Sequence, residues 1–237
     1  MRNKIAAYAQ KYQGDWSRIA KAIASEEEIE SVPMNLNFVT IVDQEYPECF
    51  RKLRFPPWIL YYEGDLSLIG QPALAIVGSR QLCFYASKMI ERLVKANCEK
   101  VIVSGLAKGA DTKAHQCAIR TIGVLGCGLD VAYPKENRLL IEWMKKHQLV
   151  ISEYPPSTAP MKHHFPWRNR LIAALADNVV AVQAKIKSGT STTIMHANEL
   201  SKPVYCVPYS LDNPYGEGCN AFIAQGAQIL LSADEKF

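Results

Sequence analysis

A chain of 237 residues is long enough to bury a large core without disulfides or metals, and its composition, 49% hydrophobic and 21% charged with 13 glycines and 13 prolines, excludes the disordered, collagenous and fibrous classes. A net charge of +4 permits an anionic partner without demanding one, so the placement of the cations decides. Seven cysteines, at positions 49, 83, 98, 117, 127, 206 and 219, form no CxxC pair and fall mostly in apolar runs such as "VLGCGLD". They read as reduced core or near-core thiols of a cytoplasmic protein, and no signal-peptide core or membrane-length apolar window appears.

The first 30 residues read as one or two short helices. Ile5, Tyr8 and Tyr12 form one stripe, Gly14-Asp15 breaks it, and Trp16, Ile19, Ala20 and Ile23 form a second. The acidic run "SEEEIES" and Pro33 close this segment, so residues 1–36 are expected to be a small helical appendage, with a linker after it, and 37–237 the main domain. Two β-rich runs, "NFVTIVD" and "WILYYEGD", flank the proline-rich "RFPPW" and are expected along an edge of the main sheet.

From residue 72 the pattern is regular. Short apolar runs ("ALAIVGS", "KVIVSG", "TIGVLG", "LVISEY", "NVVAVQA", "PVYCVP", "QILLS") alternate with stretches of helical period such as "YASKMIERLVKAN" and "RNRLIAALAD". Strands apolar on both faces and separated by helices predict a doubly wound α/β fold with a mostly parallel sheet covered on both sides.

In such sheets ligands bind outside the carboxyl ends of the strands. The first five of these loops each bring a cation: Arg80 in "GSR", Lys108 in "SGLAKGAD", Lys135 in "YPK", Lys162 in "MKHHF", and Lys185 with Lys187 in "QAKIKSGTST". Glycines in three of them let backbone approach a ligand and leave helix N-terminal N–H groups free for an anion, so a basic crevice is expected. The familiar Gly-rich fingerprints are absent. The first strand-helix turn reads "GSRQLC" where a dinucleotide site needs GxGxxG, and neither "GLAKGADT" nor "KSGTST" supplies a P-loop, so neither NAD chemistry nor ATP hydrolysis is expected. GxSxG, HExxH and zinc-deaminase signatures are missing too, and the adjacent His163 and His164 have no third ligand at matching spacing, so no metal is expected.

The stretch "MKHHFPWRNRLIAALAD", 161–177, crowds Lys162, Arg168 and Arg170 with Phe165 and Trp167 at the start of a helix. Cations there oppose the macrodipole by up to about 1 kcal/mol each, unless a bound anion uses them. Phosphates beside unstacked bases meet both demands, since base stacking on an aromatic ring tolerates any sequence; a duplex offers no unstacked base. Packing of Trp167 beneath the loop is an equal alternative, whereas Pro166 and the basic flank place Phe165 in an exposed turn.

The ordered series "LAIVGSR", "VIVSGLAKGADTKAH", "GVLGCGLDVAYPK", "LVISEYPP", "HFPWRNRLIAALAD", "AKIKSGT", "KPVYCVP" and "GCNAFIAQGA" resembles the DNA-processing protein A (DprA/Smf) family from about residue 38 onward. The resemblance implies an extended Rossmann-like domain that binds single-stranded DNA, dimerises and loads the RecA recombinase during natural transformation, with no catalytic activity and no cofactor. It implies phosphate clamps at Arg80, Lys135 and Lys162 and base stacking at Phe165. Arg168, Asn169 and Arg170, with Ser188, Gly189 and Thr190, would complete the pocket wall, and Lys108 and Lys187 join the basic lining. Many members carry a larger N-terminal helical domain and a C-terminal winged helix, and neither is expected here. The competing enzymatic reading is a nucleotide phosphoribohydrolase of the lysine-decarboxylase-like group, but its PGGxGTxxE motif would fall on "KIKSGTSTT", with Ile186 and Lys187 for two glycines and Thr193 for the glutamate. A pure protein scaffold would leave the basic crevice without a purpose.

Overall fold

The computed structural model describes residues 1–30 and 36–237; the expected linker with Pro33 lies outside the described residues. Helices α1 (Arg2–Lys11) and α2 (Trp16–Ala24) meet at the predicted break, where the Asp15 carboxylate caps α2 by accepting the Arg18 N–H at 3.0 Å. The acidic run folds back on α1: Lys11 and the Tyr12 hydroxyl both donate to the Glu27 carboxylate, at 2.5 and 2.6 Å. Ile5, Tyr8, Ile19 and Ala22 are buried in one cluster with Tyr61, Leu125 and Val150, so the helical pair shares a core with the main sheet.

The chain continues through β1 (Phe38–Thr40), α3 (Glu48–Arg51), β2 (Ile59–Gly64), β3 (Ala73–Gly78), α4 (Phe84–Ala96), β4 (Val101–Ser104) and α5 (Ala110–Cys117). Then come β5 (Thr121–Val124), α6 (Arg138–His147), β6 (Leu149–Ser152), α7 (His164–Leu175), β7 (Asn178–Gln183), α8 (Gly189–Glu199), β8 (Val204–Cys206), α9 (Glu217–Ala224) and β9 (Gln228–Ile229). Among the described residues one sheet has the order β1-β2-β6-β5-β4-β3-β7-β8-β9. All pairings from β6 to β9 are parallel, while β2 joins β6 and β1 joins β2 antiparallel, which places the two early β-rich runs at one edge as the proline-rich stretch between them suggested.

Alternation explains why the strands are apolar throughout. In β3, Ala73, Ala75 and Val77 enter one core while Leu74 and Ile76 enter the other; β7 divides Val179 and Ala181 from Val180 and Val182 in the same way. The first core receives α7, the second α4 and α5. The chain order reverses beside β3, whose neighbours are β4 and β7, and such a switch point opens a crevice at the strand C-terminal ends. The cysteines are all free thiols; Cys127, Cys206 and Cys219 are buried, and Cys98 is exposed.

One buried group sets a pH dependence. His115 of α5 is 1% exposed, its Nδ1 lies 2.7 Å from the Thr121 hydroxyl, and burial, aided by the Arg168 charge, pushes its pKa down to about 3. The unfolded imidazole protonates near its ordinary value of 6.5, so between there and about 3 the unfolded state binds the extra proton and stability falls as pH falls. Urea unfolding at successive pH values is expected to show this loss in wild type and a shallower one in His115→Gln; equal slopes in the two proteins would exclude His115 as the source.

Candidate functional site

A cleft of about 740 Å³ opens at the switch point, and a narrower recess of about 50 Å³ continues from it. The loop after β3 contributes Arg80, the loop after β6 contributes Lys162 and the first turns of α7, and the loop after β7 contributes Lys185 and the start of α8. Lys108, from the loop after β4, lines the recess and pairs with Glu136 at 2.5 Å; both side chains are more than half exposed, so solvent screens the pair and it holds Lys108 only weakly. Four of the five expected loops thus place a cation on the lining. From the fifth, Tyr133 and Pro134 rather than Lys135 face the cleft, and Lys135 is exposed beside them. Lys187 is likewise exposed in its loop, and Lys185 takes the lining position.

Helix α7 starts earlier than the polar stretch suggested. It begins at His164, so Phe165 and Pro166 form its first turn rather than an exposed turn before it. Proline is tolerated there because its missing N–H would have no intrahelical acceptor. Phe165 is half-buried, with the Tyr133 ring 5.4 Å away and the Arg80 guanidinium 5.7 Å from its centroid. This sets a guanidinium beside a half-buried aromatic ring on the cleft lining. Trp167 packs instead against Phe55 at 5.6 Å, on another flank of the helix.

The basic residues of "RNR" are not free at the helix terminus. Arg168 is 4% exposed and donates to the carbonyls of Gly105, at 2.6 Å, and Val124, at the ends of β4 and β5. A Cβ on Gly105 would lie 2.5 Å from this guanidinium, so a side chain there would displace Arg168 from its carbonyl partners. Burial disfavours the Arg168 charge and the nearby Asp111 carboxylate opposes that effect; burial in turn raises the Asp111 pKa and Arg168 lowers it. Arg168 therefore floors the cleft, with its Nε buried and unpartnered.

Arg170 corrects the expectation that it belongs to the pocket wall. Residues two apart on a helix face opposite ways. Arg170 turns from the cleft into a buried bidentate pair with Glu153, at 2.7 and 2.5 Å, and also donates to the Phe55 carbonyl at 3.0 Å. Only Lys162, just before the helix, remains as a terminal cation, so the conflict with the macrodipole is smaller than the sequence implied.

Asn169 links the two helices of the cleft by donating to the Gly189 carbonyl at 3.0 Å and the Thr192 hydroxyl at 2.7 Å. Gly189 opens α8, Ser188 precedes it with no capping hydrogen bond and a buried, unpartnered Oγ, and Thr190 lines the cleft. With no acidic residue in its first turn, α8 directs its N-terminal donors and positive field toward the cleft. Sequence patterning alone did not single out Tyr133 or Asp111 as lining residues; aromatic and acidic residues in loops carry no periodic signal.

The family model for DNA recombination-mediator protein A matches residues 37–237. The chain belongs to that family. It is 37% identical to the DNA processing protein DprA of Bacillus subtilis over 241 aligned positions, covering 99% of this chain and 80% of the relative. The X-ray structure of DprA from Streptococcus pneumoniae superposes with a TM-score of 0.81 at 34% identity, covering 98% of this chain and 90% of that one. The Helicobacter pylori DprA, described for its unique single-stranded DNA binding mode, gives 0.77 at 33% identity over 84% and 93% of the two chains. The Rossmann-like α/β architecture of these DprA structures is the one found here.

Among the described residues no group of three or more His, Cys, Asp and Glu is placed to hold a metal ion, and no helix is long and apolar enough to cross a membrane.

Proposed function

We propose that this protein binds single-stranded DNA without sequence preference in the cation-lined cleft and acts as a cytoplasmic, homodimeric recombination mediator that loads RecA during natural transformation. The observation that carries the reading is the placement of Arg80, Lys162 and Lys185 around the half-buried Phe165 ring and the open N-terminus of α8. Phosphates meet the cations and the helix end, and a base meets the ring. The DprA relatives support DNA processing as the setting, and the H. pylori relative supports a single-stranded ligand. RecA loading and dimerisation rest on the family resemblance.

The protein performs this role without catalysis of its own. Thr193 stands where the phosphoribohydrolase motif needs glutamate, and the carboxylate on the cleft, Asp111, accepts the Ala107 N–H at 3.2 Å beside Arg168. Release of base from a nucleoside monophosphate, absent in a variant lacking Asp111, would favour the enzymatic reading instead.

The deciding experiment is fluorescence anisotropy of labelled oligothymidylate over a salt series, with duplex as competitor. Three or four neutralised phosphates give a slope of log K against log salt of about −2 to −3 for a single strand. Arg80→Ala and Lys162→Ala are each expected to reduce the slope's magnitude by about 0.7, while Phe165→Ala weakens binding about 5- to 100-fold with the slope unchanged. A flat salt dependence, or effective competition by duplex, would sink the proposal; equal slope changes in all three variants would refute the assigned roles.

A further inference from the structure

A second cleft, of about 620 Å³, lies between the turn joining α1 to α2 and the start of α7. Its walls are aromatic. The Phe55 ring lies 5.1 Å from Trp16 and 5.6 Å from Trp167, so two indoles flank it, and His163 and Tyr154 complete the surface. None of Trp16, Phe55 and Trp167 is fully buried, and His163 is exposed. Tyr12 and Arg18 also line the cleft, with the Arg18 guanidinium 4.6 Å from the Tyr12 centroid, and Arg54, outside the lining, lies 5.2 Å from that of Phe55. The one carboxylate on the lining, Asp15, is engaged at the start of α2, accepting from the Arg18 N–H at 3.0 Å and the Ser17 hydroxyl at 2.8 Å.

We propose that this aromatic cleft is a second base-stacking subsite, holding a nucleotide of the same single strand whose phosphates occupy the cation-lined cleft. The inference rests on the single-strand reading above. Continuity of one segment carries it: Lys162 and Phe165 line the first cleft, His163 and Trp167 the second, so the two are opposite flanks of one helix end. A helix with its side chains is about 10–12 Å across, a width that a flexible strand crosses in a few nucleotides. Rings for bases and guanidinium groups for phosphates recur on both flanks, which is the composition of a sequence-tolerant strand path. The N-terminal helices thereby become part of the DNA surface, because Tyr12, Trp16 and Arg18 belong to their junction.

The test is a length series of oligothymidylates combined with photocrosslinking. Wild-type affinity is expected to rise again once the strand is long enough to reach the second cleft. Trp167→Ala should then lose about 5- to 100-fold for long strands and nothing for short ones. Since Arg170 packs on Trp167 at 4.2 Å and this variant risks unfolding, the double variant Ser17→Glu, Arg18→Glu, at exposed positions, must show the same length-selective loss. A bromodeoxyuridine-containing strand should crosslink to Trp16, Trp167, Tyr12 or His163. Crosslinks confined to Phe165 and Tyr133, with equal losses at all lengths, overturn the second subsite while leaving the first intact. Short strands that ignore Lys162→Ala overturn the first reading, whatever the second cleft does.

Discussion

Arg170→Met is expected to lower the unfolding free energy by about 3–5 kcal/mol while leaving the single-strand affinity of the folded protein within about twofold of wild type. The side chains of Arg170 and Glu153 are 3% and 4% exposed, and the guanidinium also donates to the Phe55 and Trp167 carbonyls at 3.0 and 2.9 Å. Removing it strands a buried carboxylate and two carbonyls, and an uncompensated buried charge costs more than the pair contributes. The double variant Arg170→Met, Glu153→Leu should recover most of the loss, because both charges are then absent. Urea unfolding with an unchanged m-value measures the effect. If stability falls by less than about 1 kcal/mol and DNA affinity falls instead, Arg170 contacts the ligand, as its place beside Arg168 in the sequence suggested.

Gly109→Ala should damage fold and binding together. Gly109 has φ +76° and ψ −118°, a region side chains disfavour, and a Cβ there would lie 2.3 Å from the Ser79 carbonyl oxygen and 2.6 Å from that of Arg80. Conformational strain of about 1–2 kcal/mol then adds to an overpacking cost of about 1–3 kcal/mol, because the opposing atoms are backbone and cannot rotate away. Relief comes by moving the loop that carries Arg80, so the salt dependence of strand binding should weaken by about 0.7, one phosphate contact. Gly70→Ala is the control: Gly70 has φ +91°, and a Cβ there would meet nothing within 4 Å, so only the strain is incurred and binding stays unchanged. Equal destabilisation by the two substitutions would show that the loop contact at Gly109 does not matter.

The parallel sheet was legible because its signal is local. Runs such as "NVVAVQA" are apolar on both faces, and the structure divides Val179 and Val180 between two cores as that pattern requires. The break at Gly14-Asp15 was equally legible, since a capping carboxylate acts within one turn. Four basic loops and the Phe165 ring also reached the cleft that the strand ends predict. The start of α7 was misplaced because Pro166 reads as a turn residue, although the first turn of a helix accepts it without loss.

What the chain alone determined is therefore the fold class, the sheet edge at which the cation-bearing loops and the cleft lie, and the family, all of which rest on periodicity and motif order over short spans. Tertiary structure decided which partners the two arginines of "RNR" reach. Arg168 reaches a carbonyl 63 residues away and Arg170 a carboxylate 17 residues away, so neighbours in "RNR" have separate duties, one flooring the cleft and the other locking the core. Helical spacing turns residues two apart to opposite sides, but which side meets the cleft depends on partners brought in from distant strands, and no local pattern encodes them.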